Sequence, residues 1–205
     1  MTKYKKVLEH FALVDPKIRA VMETLNFDDW LKPHKNGRDK NHFQALCRTI
    51  IGQQLSGKAA GTIYSRFENL FGGKEITPER VLNFSDQELR SVGLSWAKAK
   101  YVRDLAQKTL GKEVLLDKLE ELPDAEVVTK LTKIKGIGSW TAEMFLLFTL
   151  DRENIFSFGD LGLKNGFTKV YEIKAPTPKQ LERVVKKWEP YKSFGTIALW
   201  YSLEN

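Results

Sequence analysis

The architecture of this protein follows from residues 131–167, LTKIKGIGSWTAEMFLLFTLDRENIFSFGDLGLKNGF. A short helical pattern ends before Gly136-Ile137-Gly138, and a second helical pattern begins directly after it. Glycines allow positive φ and let a backbone approach another group closely. The first N–H groups of the second helix have no partner within that helix, so with the glycines they form a site for a phosphate oxygen. The alternative is a tight turn between two helices, in which the glycines serve geometry alone.

Asp160 lies downstream among apolar neighbours, in the sequence FSFGDLGL at residues 156–163. A carboxylate in apolar surroundings costs free energy unless it has a partner. One explanation is that Asp160 caps a helix that begins near Leu161. A capping role is compatible with a chemical role, because capping would orient the carboxylate.

The rest of the chain is also helical in pattern. Phe43, Leu46, Cys47, Ile50 and Ile51 recur at a helical period, and no segment sustains the alternation of a strand. Residues 140–150 are apolar nearly all round, which predicts a buried helix. The predicted N-caps of helices are Asp15, Ser85, Ser95, Asp124 and Ser193. We therefore predict an all-α fold.

Composition excludes several classes of protein. The 205 residues carry 33 Lys and Arg against 26 Asp and Glu, and the resulting charge of +7 favours a polyanionic partner. The single cysteine, Cys47, excludes a disulfide framework, a cysteine-type zinc site and a cysteine-held iron–sulfur cluster. Its place in a helical stripe indicates packing. Neither a signal peptide nor a membrane-spanning stretch is evident, so we predict an intracellular protein.

Several motifs taken together resemble a known superfamily. Residues 136–142, GIGSWTA, followed by GDLG at residues 159–162, resemble the helix-hairpin-helix superfamily of DNA glycosylases. IIGQQLS at residues 50–56 and the run from Lys192 to Tyr201 resemble the 3-methyladenine-DNA glycosylase II family within it. The likeness covers residues 43–201. From the length of 205 residues, the resemblance predicts a short form without the extra N-terminal mixed domain of longer members.

The resemblance implies a single glycosylase unit, residues 1–205, made of two helical lobes with a cleft between them. One lobe would comprise residues 33–150, with the hairpin at 131–142, and the other residues 1–32 and 151–205. Asp160 would be the catalytic residue. It would assist hydrolysis of the N-glycosidic bond of flipped, cationic purines such as 3-methyladenine and 7-methylguanine, leaving an abasic site.

The resemblance also assigns roles to other residues. Bifunctional relatives carry a lysine two residues after the second hairpin glycine, where this chain has Trp140, so a monofunctional enzyme without lyase activity is implied. The base pocket would be lined by Trp140, Met144, Trp200 and Tyr201, with core packing an equal alternative for Met144. DNA would be contacted by Gln53, Gln54, Leu55, Ser56, Lys58, Lys133, Lys135, Gly136, Ile137, Gly138 and Ser139.

The roles of Ile137 and of Gln54 can be stated more specifically. Ile137 would point back into the core and fix the hairpin. Gln54 is preferred, by its position in the motif, as the side chain that fills the hole left by the flipped base. Leu55 is the usual sort of apolar wedge and stays the alternative.

The proposed chemistry requires no organic cofactor and no redox metal, and we predict no metal-binding cluster. The hairpin carbonyls are a candidate site for a monovalent cation. The predicted partner is double-stranded DNA with alkylated bases, with no membrane, and we expect a monomer in a bacterial or archaeal cytoplasm or a eukaryotic nucleus. Two alternatives remain: a noncatalytic helix-hairpin-helix DNA-binding protein, and a glycosylase for deaminated or other neutral lesions.

Overall fold

A computed structural model describes residues 4–35, without the side chains of 32–35, and residues 41–204. These residues contain helices and no strand, which confirms the predicted all-α fold. They divide into two compact units. We call residues 1–36 with 146–205 the terminal unit and residues 37–145 the inserted unit. The sequence predicts lobe boundaries at residues 33 and 150, and the two units of the structure divide after residues 36 and 145.

The described residues form thirteen α-helices and two 3₁₀-helices. In chain order the α-helices are α1 (Lys5–Val14), α2 (Pro16–Thr24), α3 (Phe27–Lys35), α4 (His42–Gly52), α5 (Gly57–Asn69), α6 (Pro78–Leu82), α7 (Asp86–Ser91), α8 (Trp96–Leu110), α9 (Asp124–Leu131), α10 (Ser139–Phe148), α11 (Leu161–Tyr171), α12 (Pro178–Val185) and α13 (Lys192–Glu204). The 3₁₀-helices are Leu116–Glu121 and Lys186–Trp188. None of these helices is both long and apolar enough to cross a membrane.

Helix α4 is at the centre of the inserted unit and packs against α5 and α8. Its predicted apolar stripe, from Phe43 to Ile51, is buried throughout. Cys47 is part of that stripe and has no exposed surface, so packing accounts for this residue.

In the terminal unit, α11 packs against α13 at very short range. A Cβ atom added to Gly166 of α11 would lie 2.4 Å from the backbone oxygen of Leu199 in α13. Only glycine therefore lets the two helices approach this closely. This contact positions two of the predicted site residues, because Asp160 directly precedes α11 and Trp200 lies on α13.

Three of the predicted N-caps are confirmed. The side chain of Asp15 accepts the N–H of Ile18, and that of Ser95 accepts the N–H of Lys98. Ser85 and Glu88 form a capping box, in which each side chain bonds the other's backbone N–H. The sequence therefore located these helix starts correctly.

Two of the predicted N-caps are wrong. Helix α9 already includes Asp124 and has Pro123 at its N-cap. Helix α13 begins at Lys192, one residue before the predicted cap Ser193. The Ser193 hydroxyl instead donates to the backbone oxygen of Arg152 and accepts the N–H of Ile155. It satisfies the backbone after α10, a long-range role that a local cap pattern cannot reveal.

Asp15 is also the centre of a buried polar cluster in the terminal unit. Its Oδ2 accepts hydrogen bonds from the Tyr171 hydroxyl and, at 2.8 Å, from the Trp188 indole N–H. Tyr171 ends α11, so the cluster attaches the far end of that helix to the N-cap of α2. Burial, with the bond to Asp15, raises the pKa of the Tyr171 hydroxyl well above its ordinary value.

Candidate functional site

The hairpin of the inserted unit consists of the end of α9, residues 132–138 and the start of α10. Gly136 has φ +82°, a left-handed conformation. A Cβ at this position would lie 2.1 Å from the ring of Tyr101 in α8. Ile137 is buried, as predicted, and its burial holds the loop against the rest of the inserted unit. A Cβ added to Gly138 would meet no atom within 4 Å, so the backbone there is open to a close approach.

A buried carboxylate from α8 holds the hairpin in place. Oδ2 of Asp104 accepts the backbone N–H of Lys135 at 2.8 Å and the ammonium of Lys108 at 3.0 Å. The same ammonium donates to the backbone oxygen of Lys133. Neither Asp104 nor Lys108 was predicted from the sequence. The sequence feature that could have indicated Asp104 is that it is the single acidic residue of α8, whose other charged residues are Lys and Arg.

The loop after α4 also bonds to the hairpin. The Gln53 side-chain amide donates to the backbone oxygen of Gly136 at 2.8 Å. Lys98 of α8 donates to the backbone oxygens of Ile51, at 2.8 Å, and Gln53, at 2.6 Å. Burial lowers the pKa of the Lys98 ammonium. The structure thus joins two predicted DNA-contacting segments, residues 53–56 and 133–139, through Gln53.

The tip of this loop points into solvent. Gln54 is exposed and has φ +56°, which is strained for a residue with a side chain. Leu55 is 38% exposed. The Ser56 hydroxyl accepts the N–H of Ala59 and so caps α5. Lys58, Lys133, Lys135 and Ser139 are exposed as well. Every predicted DNA-contacting side chain except Gln53 and Ile137 is therefore solvent-facing or a glycine.

Asp160 is the N-cap of α11 in the terminal unit. Its Oδ1 accepts the N–H of Leu163 at 2.8 Å and the indole N–H of Trp200 at 3.4 Å. A Cβ on Gly162 would lie 3.0 Å from Asp160 Oδ1 and 3.3 Å from the Trp200 ring. The half-buried carboxylate is therefore oriented by a helix start and by an aromatic side chain.

Trp200 is part of a row of nearly parallel aromatic rings. Its centroid lies 6.2 Å from that of Trp30, with planes 9° apart, and 6.1 Å from that of Phe148, with planes 17° apart. The neighbouring Tyr201 donates its hydroxyl to the backbone oxygen of Thr24 at 3.0 Å. Trp30 and Phe148 were not predicted from the sequence, because residues from α3 and α10 meet α13 only through the fold.

The four residues predicted to line a base pocket divide between the units. Trp200 and Tyr201 belong to the terminal unit with Asp160, and Trp140 and Met144 belong to the inserted unit. Trp140 is 47% exposed at the start of α10, an exception to the predicted burial of that helix. Met144 is only 9% exposed, which favours core packing for this residue.

No cluster of three or more His, Cys, Asp or Glu suited to a metal occurs in residues 4–35 and 41–204. At the hairpin, the backbone oxygens of Lys133 and Gly136 accept side-chain donors from Lys108 and Gln53. A monovalent cation at either oxygen would have to share it with these donors.

The inserted unit carries a glycine hairpin and a solvent-facing loop, and the terminal unit carries one oriented carboxylate. The sequence profile of the HhH-GPD superfamily base excision DNA repair proteins matches residues 47–190, more than half of the chain. The chain belongs to this superfamily. The residues that match the HhH-GPD profile include the hairpin, the loop after α4 and Asp160.

Individual relatives are similar to this chain over most of its length. DNA-3-methyladenine glycosylase 1 of Schizosaccharomyces pombe is 33% identical over 173 residues, covering 83% of this chain and 75% of the relative. The crystal structure of DNA-3-methyladenine glycosidase from Bacillus halodurans is 34% identical with a TM-score of 0.78, covering 97% of this chain and 88% of that one. The Schizosaccharomyces pombe 3-methyladenine DNA glycosylase in complex with abasic DNA is 26% identical with a TM-score of 0.78, covering 95% of each chain.

Proposed function

We propose that this protein is a monofunctional DNA glycosylase of base excision repair. It hydrolyses the N-glycosidic bond of alkylated, cationic purines such as 3-methyladenine and 7-methylguanine in double-stranded DNA and leaves an abasic site. The observation that carries the proposal is the carboxylate of Asp160, held by the Leu163 N–H and the Trp200 indole. The hairpin and the relatives named DNA-3-methyladenine glycosylase support the substrate class.

Asp160 acts on the sugar. As the base leaves, positive charge develops at C1′, and a fixed carboxylate stabilises that charge electrostatically. The same carboxylate orients or deprotonates the attacking water. Most glycosidases need a second carboxylic acid to protonate the leaving group. A purine that is already cationic leaves readily, so one carboxylate suffices.

The substrate base is flipped out of the duplex before the reaction. A cationic base gains about 0.5–2 kcal/mol for each favourable contact with an aromatic face. Beside Asp160, the indole of Trp200 offers such a face, with Tyr201 next to it in α13. In the inserted unit, the exposed indole of Trp140 offers another. These aromatic side chains favour cationic over neutral lesions.

The inserted unit holds the duplex. Backbone N–H groups from Gly138 and Ser139 bind a phosphate at the start of α10, where the helix dipole favours negative charge. Lys133 and Lys135 add attraction that is independent of sequence. Gln54, exposed at the loop tip, fills the space vacated by the flipped base. The bond from the Gln53 side chain to the backbone oxygen of Gly136 holds this loop next to the hairpin.

Trp140 explains why the enzyme is monofunctional. Strand cleavage through a covalent imine requires an amine that attacks the sugar. Trp140 has none, so the reaction stops at the abasic site. Hydrolysis needs no organic cofactor. The hairpin carbonyls stay the candidate site for a monovalent cation that would assist phosphate binding.

The decisive experiment is incubation of the protein with methylated duplex DNA. We expect free 3-methyladenine and 7-methylguanine to appear. Asp160→Asn should abolish release and retain duplex affinity, since it keeps the side-chain size and a capping oxygen. Duplex binding without release of any alkylated or deaminated base would favour a noncatalytic DNA-binding protein. A borohydride-trapped covalent adduct would contradict the monofunctional assignment.

A further inference from the structure

Trp30 lies on α3, outside the hairpin, the loop after α4 and the helix that Asp160 caps. It is half-buried, and its indole is almost parallel to that of Trp200, at 9° and a centroid distance of 6.2 Å. These values lie within the range of interacting aromatic pairs. The two tryptophans are far apart in sequence, so the fold alone brings them together.

Helix α3 and the end of α2, which precedes it, are each attached to α13. The ring of Phe27 meets that of Phe194 edge-on, with centroids 5.2 Å apart and planes at 88°. The Tyr201 hydroxyl donates to the backbone oxygen of Thr24, the last residue of α2, at 3.0 Å. Phe27 is 3% exposed and is one helical turn from Trp30. The backbone of α3 therefore lies against α13 through several contacts, and the loss of any one aromatic ring leaves the others in place.

The orientation of Trp200 decides whether its N–H reaches Asp160. The distance of 3.4 Å from Nε1 to Oδ1 is at the long end for a hydrogen bond, so a small rotation of the indole would lose it. Gly162 provides the space through which the indole edge reaches the carboxylate. Trp30 and Phe148 both lie nearly parallel to the indole plane and restrict its rotation.

We propose that Trp30 is a positioning residue for Asp160. It fixes the plane of Trp200, and Trp200 in turn directs its N–H to the carboxylate that faces the sugar. A carboxylate with this donor keeps one orientation, which aligned catalysis requires. This inference rests on the proposed glycosylase activity and extends it to a residue of α3, a helix outside the residues matched by the superfamily profile.

The test compares Trp30→Leu, Trp30→Phe and Phe27→Leu. Phe27→Leu is a matched control, because it removes an aromatic ring from the same helix without removing a partner of Trp200. The measurement is the single-turnover release of 7-methylguanine from a duplex with one lesion, as a function of protein concentration. For Trp30→Leu we expect a fall of about 10-fold in rate at saturation and less than about 2-fold change in half-saturation. Trp30→Phe should restore most of the rate.

A second measurement does not depend on activity. The indole N–H resonance of Trp200, assigned by its loss in Trp200→Phe, should shift in Asp160→Asn and also in Trp30→Leu. It should stay near its original position in Trp30→Phe and Phe27→Leu. An unchanged resonance in Trp30→Leu would overturn the positioning role even if the protein released no base. A protein with no glycosylase activity but with the expected shifts would overturn the proposed function alone.

The rate measurements can also refute the inference directly. Full activity of Trp30→Leu would do so. An equal loss of rate in Phe27→Leu, at a matched loss of thermal stability, would assign the effect to general loosening of α3.

Discussion

The indole Nε1 of Trp200 lies 3.4 Å from Oδ1 of Asp160, the same oxygen that caps α11 at 2.8 Å. One oxygen of the carboxylate is thus bound by the backbone of its own helix and by a side chain of α13. Gly166 makes this arrangement possible, because it allows α11 and α13 to approach within the length of a side chain. The proposed active-site carboxylate is therefore oriented by helix packing within the terminal unit.

Gly162→Ala should reduce activity without loss of stability. The new methyl would press on Asp160 Oδ1 at 3.0 Å and on the Trp200 ring at 3.3 Å, so we expect the saturating rate of base release to fall about 10-fold. Alanine for glycine in a helix otherwise contributes about 0.5–1 kcal/mol of stability, which offsets the strain. Gly159→Ala is the control, since nothing lies within 4 Å of its added methyl. Equal rates for both variants would contradict the packing argument.

Gly136→Ala and Gly138→Ala should separate folding from DNA binding. At Gly136 a side chain meets both a positive φ and the Tyr101 ring, so we expect a loss of about 2–4 kcal/mol in the free energy of unfolding. At Gly138 there is space, so stability should change by less than about 0.5 kcal/mol, while duplex affinity falls because the phosphate cannot approach. Urea denaturation and fluorescence anisotropy measure the two effects. A stable Gly136→Ala protein would show that the loop can rearrange.

Gln54→Ala should weaken binding to damaged duplex more than Leu55→Ala. Gln54 is exposed at the loop tip and has a left-handed backbone, and its place in the motif favours it as the side chain that enters the duplex. Gln54→Gly is a useful companion, because glycine removes the side chain and relieves the backbone strain. Both Gln54 variants should lose affinity for a lesion-containing duplex. The reverse order of the two alanine variants would identify Leu55 as the wedge.

Tyr171→Phe should destabilise the terminal unit and remove an alkaline decline in stability. Removing the hydroxyl leaves Asp15 with one donor fewer, at a cost of about 1.5–3 kcal/mol near neutral pH. In the native protein the pKa of Tyr171 is raised by burial and by Asp15. The stabilisation is thus complete below the unfolded-state pKa of about 10 and falls above it, because only the unfolded chain ionises.

Denaturation curves between neutral pH and about pH 11 measure this difference. The native protein should lose stability above about pH 10 more steeply than Tyr171→Phe. Parallel curves would mean that the Tyr171 hydroxyl ionises normally in the folded state. Tyr191→Phe serves as a control tyrosine of the same unit.

Local pattern predicted the helices and several of their ends well. Asp15, Ser85 and Ser95 cap helices because capping depends on residues within one turn of each other. Ser193 was mispredicted for the opposite reason: its hydroxyl bonds to Arg152 and Ile155, which are distant in sequence. The sequence did not predict that Asp104 bonds to the hairpin, because its partner Lys135 comes from another part of the chain.

The sequence by itself determined the all-α class, the hairpin glycines, the position of Asp160 at a helix start and membership of a glycosylase superfamily. These depend on local periodicity, capping chemistry and short motifs. Only the tertiary structure decided which side chains meet: Trp200 with Asp160, Trp30 and Phe148 with Trp200, Asp104 with the hairpin, and Gln53 with Gly136. The physical reason is that a hydrogen bond or ring contact needs a distance of a few ångströms, and helix packing sets that distance between residues whose separation in sequence carries no such information.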